Sequence, residues 1–482
     1  MKKRNILLIL PFLVALTNCS YIEGILGPQE NSNYGSLIIN SSFSNSSSTS
    51  TIQTPYNNQS PLHKFIEQDS DFHVGLPSTG DVKVLVVPVE VGDDKFSDED
   101  LERIDLAFNG TSLETGYESV SSYYNKSSQG KLNIEATITP VFNTGKTKGY
   151  YESRYKIGKD IDCEILDCSL SLLEDIYDLS EYDYNNDSYI DGIYLIYSCD
   201  YSMDDNSPWW AWCYDYSTNK ETYDNKKTNL FVWASIHFLD DKPNSKTTIN
   251  INAETIIHET GHLLCLDDYY DYDEFKGPDG GLGGAAMMDS NVGDQDSFSK
   301  ALLGWSNHTI ANQEGTYTLR PSESSNDCLI IPLRDNENDI LGEYLLIDFY
   351  TPTGLNKMQA GNYGLFSKQG IRIYHVDARI DSNLGNPKNL SGYYTIFSFN
   401  NSDTEHKIIE MIEKDNNRSI NRTGVASNSD LFTVGSSLNY IYNHDNVKYD
   451  YTIQVTSIQT TATIKITKNR SEKWSHSFIL TK

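Results

Sequence analysis

His258, Glu259 and His262 form the pattern H-E-x-x-H. On a helix, two histidines at that spacing lie one turn apart and project from the same face. Two neutral imidazoles so placed can share one Zn²⁺, and Glu259 sits beside them to accept a proton from water on the ion. Ile256, Ile257, Leu263 and Leu264 flank the motif, so the segment reads as a buried helix rather than a loop. A solvated or structural His-Glu-His helix is the alternative. A catalytic zinc site keeps one coordination position for water and so needs a third protein ligand. Asp267 and Asp268, just downstream, both offer a carboxylate.

The metzincin pattern H-E-x-x-H-x-x-G-x-x-H/D puts that third ligand at Asp268, with Asp267 out of register by one. Cys265 stands where the pattern has the glycine that lets the chain leave the helix sharply. A β-carbon at positive φ costs energy, so either the turn tolerates it or the exit differs. Gly283-Gly-Ala-Ala-Met287-Met288-Asp289 then looks like a methionine turn, with Met288 as support and not as a ligand. Together with Leu266-Asp-Asp268-Tyr-Tyr270-Asp271 and Lys300-Ala-Leu-Leu-Gly304-Trp305, the chain resembles the immune inhibitor A family of secreted bacterial metalloproteases. Upstream, Tyr123-Tyr124-Asn-Lys-Ser-Ser128-Gln-Gly130-Lys-Leu132 extends the resemblance, and the segments starting at Glu343 and Ile371 continue it. The departures are Cys265 for glycine, Asp267 for the common proline, and Ala286 where aspartate is frequent.

The resemblance implies an α/β zincin (metzincin-like) catalytic domain, here followed by a β-rich C-terminal domain. It implies a zinc-dependent endopeptidase that hydrolyses peptide bonds of extracellular proteins. His258, His262 and Asp268 would hold Zn²⁺, and Glu259 would act as the catalytic base.

The elements that must position these residues are legible along the chain. Residues 1–18 read as a signal peptide, with a basic start and an apolar run too short for a stable anchor. Leu16-Thr17-Asn18-Cys19 resembles a lipobox, so Cys19 is a candidate for lipidation and membrane attachment on the outer face of a bacterial cell. Ordinary cleavage and secretion is the alternative. Residues 19–60 are rich in Ser, Asn and Thr and read as a flexible tether. The metalloprotease domain is assigned to 61–310 and the β-rich domain to 311–482. In the first, residues 82–91 read as a buried strand limited by Pro88. Residues 98–108 and 119–126 read as helices, 130–139 as a strand, and 160–179 as an amphipathic helix with Ile176 on its apolar side. In the second, strands are expected at 316–320, 328–332, 343–349, 370–376 and 451–455.

Asp183, Asn185, Asp187 and Asp191, with the carbonyl of Tyr189, place oxygens at alternate positions, as in the first part of a calcium loop. The glycine and glutamate that complete an EF-hand are absent, so an Asn/Asp turn is the competing reading. The Trp-rich stretch 207–213 reads as packing or a lid, and His375 and Asp377 as polar partners on one strand face. A formal charge of −29 argues against nucleic acid, or an anionic membrane, as the ligand of the folded body. Of the seven cysteines, the six beyond Cys19 follow no zinc-knuckle or disulfide-scaffold spacing.

Overall fold

The computed structural model describes residues 36–38, 60–67, 73–204, 206–215, 222–240, 251–270, 281–334, 340–359, 365–379, 401, 407–415, 420, 425–439 and 441–469. Residues 1–18, expected to be a signal peptide, Cys19 and most of the 19–60 stretch lie outside them. The chain divides into two compact units, Met1–Asp267 and Asp268–Lys482.

The first unit is built on a 7-stranded sheet. Its strands are β1 (Ser36–Ile38), β2 (Gly80–Glu90), β3 (Leu132–Ile138), β4 (Val141–Asn143), β5 (Ile193–Tyr197), β6 (Trp212–Asp215) and β7 (Leu230–Ser235). The order is β1-β4-β2-β5-β7-β6, with β3 also on β2. β2, β3, β4, β5 and β7 pair in parallel, whereas β1 and β6 close the two ends antiparallel. Ser36–Ile38 falls inside the segment expected to be a flexible tether, so that expectation is corrected there. These residues pair with Val141–Asn143 and extend the sheet.

β2 is apolar on both faces because helices cover both, as a parallel sheet requires. Leu85, Val87 and Val89 meet Ile193, Leu195, Phe231 and Trp233 in a cluster with Ile165, Leu166 and Leu170 of α6 (Ile161–Leu173). The alternate residues face the other side, where Tyr194 packs edge-on to Phe108 of α2 (Asp98–Asn109). On that side lie α4 (Val120–Ser127) and α7 (Glu254–Leu263), and α7 packs against β6 and β7. The result is a three-layer α/β/α arrangement. Also among the described residues of this unit are α1 (Pro61–Ile66), α3 (Ser112–Thr115) and α5 (Lys148–Tyr155).

Pro88 sits in mid-strand without disrupting the sheet. Leu85 donates to the carbonyl of Gly192 and Val89 accepts from Ser198, so odd residues bond toward β5. Pro88 therefore turns its missing N–H toward the other edge. There β3 ends its pairing at Val86 and β4 begins at Val89, so no partner asks for that N–H.

The helix expected over 160–179 is shorter in the structure and stops at Leu173, leaving Ile176 46% exposed. Acidic Glu174 and Asp175 follow its C-terminus, where the helix dipole disfavours negative charge. Asp178 then caps a separate 3₁₀ turn, Leu179–Tyr182, by accepting from the Ser180 N–H at 3.1 Å. Trp209 is fully buried against Tyr197 and Trp233, so the Trp-rich stretch packs into the core at that residue.

The second unit opens with α8 (Met287–Ser290) and α9 (Ser297–Leu302) and is otherwise β-rich, with α10 (Ser322–Ser325) among its short helices. One sheet runs β13-β12-β11-β10-β8, from β8 (Asn307–Ile310), β10 (Asp327–Pro332), β11 (Glu343–Tyr350), β12 (Gly370–Asp377) and β13 (Ile409–Met411). The other runs β14-β17-β18-β9, from β9 (Gly315–Leu319), β14 (Ser437–Leu438), β17 (Tyr451–Ile458) and β18 (Ala462–Lys468). β15 (Ile441–Tyr442) and β16 (Lys448–Tyr449) form a small hairpin. Alternate residues of the two sheets share one apolar cluster, including Leu345, Ile347, Ile373, Ile453 and Ile464. On the opposite face of the first sheet, Arg372 makes two hydrogen bonds to Asp348, at 2.9 and 2.7 Å, with both side chains buried. Ser297 of α9 donates to the same carboxylate at 2.7 Å, tying that helix to the sheet.

Candidate metal centre

α7 carries His258, Glu259 and His262 on a helix gripped from several sides. Asn252 Oδ1 accepts the N–H of Glu254 in its first turn. Tyr124 of α4 donates its hydroxyl to the Ile257 carbonyl at 2.7 Å, and Tyr194 of β5 meets Thr260 at 3.0 Å. Leu76 donates to the Leu263 carbonyl at 2.6 Å. Gly75 permits that approach, since a β-carbon there would lie 2.6 Å from the same oxygen.

The helix ends in a Schellman motif. Cys265 donates to His262 and Leu266 donates to Gly261, at 2.8 and 3.0 Å. Cys265 occupies the left-handed position with φ 64°. The turn thus keeps the conformation that glycine favours, and its two capping bonds offset the cost of the β-carbon.

One ligand atom from each of His258, His262 and Asp268 lies within 4.8 Å of the others. Asp267 is not in that group. The two rings stand 4.9 Å apart, nearly perpendicular. His262 Nδ1 is 2.8 Å from the Leu266 carbonyl. A carbonyl only accepts, so Nδ1 carries the proton and Nε2 keeps its lone pair for a metal. Tyr270 donates its hydroxyl to Asp268 Oδ2 at 3.0 Å, orienting the carboxylate. Two imidazoles and one carboxylate are a donor set that suits zinc with one position left for water. Glu259 is buried and lies outside the ligand group. Desolvation, with the nearby charge of Glu259 adding to it, pushes the Cys213 thiol of β6 well above its ordinary pKa.

Met288 is fully buried in α8, and its carbonyl accepts the N–H of Tyr269, the residue after Asp268. The Gly284 N–H donates to Asp289, and burial, with the charge of Asp268 adding to it, pushes that carboxyl up to about 6. The chain resumes in α9, and Trp305 beyond it is fully buried.

His63 has no signal in the sequence, yet it holds the end of α7. It is fully buried on α1, with Nε2 2.9 Å from the carbonyl of Leu264. Burial pulls its pKa down to about 4. Between that value and its ordinary 6.5, the unfolded chain binds a proton that the folded chain refuses. The stability is therefore complete above pH 6.5 and falls as the pH is lowered toward 4. The loss amounts to about 3 kcal/mol at 1.36 kcal/mol per pKa unit. Unfolding of the metal-free protein is expected to show this slope, and His63→Gln, which keeps a donor, should flatten it. Equal slopes in both proteins would remove His63 from the account.

In the 183–191 loop, Asp183 accepts the N–H groups of Asp187 and Ser188 and forms an ion pair with Lys226 at 2.5 Å. Asn185 accepts from Asp187, Asp187 accepts from Tyr189, and Asp191 accepts from Tyr184. Burial, with the charge of Asp183 adding to it, pushes Asp187 up to about 6. Calcium would have to displace the Lys226 ammonium from Asp183. The side chain of His375 meets Glu343 at 2.9 Å, and His444 meets Asp377 at 2.6 Å. Arg334 and Arg379 bind Glu343 and Asp377 in turn. His444 lies far along the chain from its partners, and no local pattern marks it.

No protein-family model matches the chain, and no curated protein matches it.

Proposed function

We propose that the chain is a zinc-dependent endopeptidase similar to the immune inhibitor A family, with a zincin-like catalytic region and a β-rich C-terminal region. The observation that carries this reading is the convergence of His258, His262 and Asp268 beside the buried carboxylate of Glu259. Zinc held there supplies a Lewis acid that polarises a scissile carbonyl and lowers the pKa of water. Glu259 takes the proton from the attacking water and delivers it to the leaving amine. The Leu266 carbonyl fixes the His262 tautomer throughout, and Tyr270 fixes Asp268.

β6 supports a peptide substrate. Among the described residues it is the terminal, antiparallel strand of its sheet, and α7 packs on it. An extended peptide can add to such an edge through backbone hydrogen bonds, leaving sequence preference to side-chain pockets. Protein or peptide substrates are therefore the proposed partners.

The test is digestion of unfolded casein by the purified protein with and without phenanthroline. Activity is expected to stop with the chelator and return with added zinc. Digestion that is indifferent to chelation would overturn the proposal. Attachment to the outer membrane face through Cys19 is proposed from the lipobox-like sequence. Incorporation of labelled fatty acid by the wild type, and its loss in Cys19→Ala, would test it. No incorporation by the wild type would favour plain secretion.

A further inference from the structure

The second unit brings together three carboxylates far from the zinc ligands in sequence. One oxygen from each of Glu413, Asp415 and Asp430 lies within 4.8 Å of the others. Glu413 and Asp415 follow β13. Asp430 precedes Phe432, whose backbone exchanges two hydrogen bonds with Ile371 of β12. The chain leaving β13 thus meets the turn before Phe432, where the Lys414 N–H donates to the Asp430 carbonyl, and no sequence motif marks the group.

Asp430 is 2% exposed. Its Oδ2 accepts from Ser427, from the backbone N–H at 2.7 Å and from the hydroxyl at 3.1 Å. Its Oδ1 is buried and has no hydrogen-bond partner. A buried carboxylate oxygen without a donor is costly, and two more carboxylates beside it add like-charge repulsion. Burial first, and then the charges of Glu413 and Asp415, hold the Asp430 carboxyl above its ordinary range. Glu413 is 6% exposed and accepts the Ile420 N–H at 3.0 Å. Asp415 is exposed, which opens the group to an ion and to water.

We propose that Glu413, Asp415 and Asp430 bind one calcium ion. The donors are all anionic oxygens, which select a hard cation over zinc. Calcium accepts six to eight oxygens in flexible geometry, so water on the Asp415 side completes the shell. Magnesium, which demands a near-ideal octahedron, fits such a mixed shell less well.

The ion has a structural consequence. Met411, two residues before Glu413, donates to the Gly281 carbonyl at 2.9 Å. Ala426, four residues before Asp430, donates to Gly283 at 2.8 Å. Gly283 has φ +64°, and a β-carbon there would lie 2.6 Å from the Ala426 nitrogen. Calcium therefore joins the two backbone segments that hold the glycine run leading into α8 and Met288. Binding at this site does not depend on the protease reading.

The test is calorimetric titration of Ca²⁺ into the full chain at fixed zinc content, with thermal unfolding measured in parallel. The wild type is expected to bind Ca²⁺ at this site and to unfold at a higher temperature in its presence, with Mg²⁺ far less effective. Asp430→Asn should weaken this binding at least tenfold while keeping or raising the calcium-free unfolding temperature, because it relieves repulsion. Asp415→Asn, a change at an exposed side chain that leaves folding intact, should also weaken binding. The double variant Asp183→Asn/Asp187→Asn should leave this site unaffected. Unchanged calcium affinity in both Asp430→Asn and Asp415→Asn would overturn the proposal, as would equal response to Mg²⁺.

Discussion

Glu259→Ala is expected to lower peptide hydrolysis by about a hundredfold to ten-thousandfold, the usual weight of a general base. Zinc content and thermal unfolding should stay near those of the parent. The group that could hold a metal consists of His258, His262 and Asp268 and does not include Glu259. Glu259 follows His258 directly, so its carboxylate would reach water on a bound ion rather than the ion itself. Near-parent activity would mean that another group is the base or that the protease is a contaminant. Loss of zinc as complete as in His262→Ala would make Glu259 a ligand and undo the metzincin reading.

The second large effect separates two adjacent aspartates. Asp268→Ala is expected to weaken zinc binding by more than about a hundredfold, since loss of even an outer-shell partner costs ten- to a hundredfold. Asp267→Ala should bind zinc nearly as the parent does. The reason is geometric: Asp268, and not Asp267, has an oxygen within 4.8 Å of the two imidazole ligand atoms. Competition against a zinc chelator of known affinity reads both variants directly. The reverse order would move the third ligand by one residue.

Local patterns in the sequence carried much of this architecture. The apolar run of β2, the capped helices α2 and α4, and the strands β9, β10, β11, β12 and β17 follow from periodicity and turn residues. The spacing of His258 and His262 places both on one helix face, which is a property of the helix alone. The misses were of another kind. The 160–179 helix ends early because Glu174, Asp175 and Asp178 act on its terminus, a balance that apolar spacing does not register. Ser36–Ile38 joins the sheet through β4, more than a hundred residues away, although its composition reads as tether. His63, Lys226, His444 and Asp430 become informative only through contacts that folding creates between distant segments. Cys265 shows the opposite case, since it departs from the glycine pattern and the backbone keeps the glycine conformation.

The most direct test of the central claim is a zinc titration of the metal-stripped protein, following bound zinc and peptide hydrolysis in the same sample. Both are expected to rise together and saturate at about one zinc per chain, as a single three-ligand catalytic site requires. Hydrolysis before zinc is added, or saturation of zinc without any hydrolysis, would contradict the assignment.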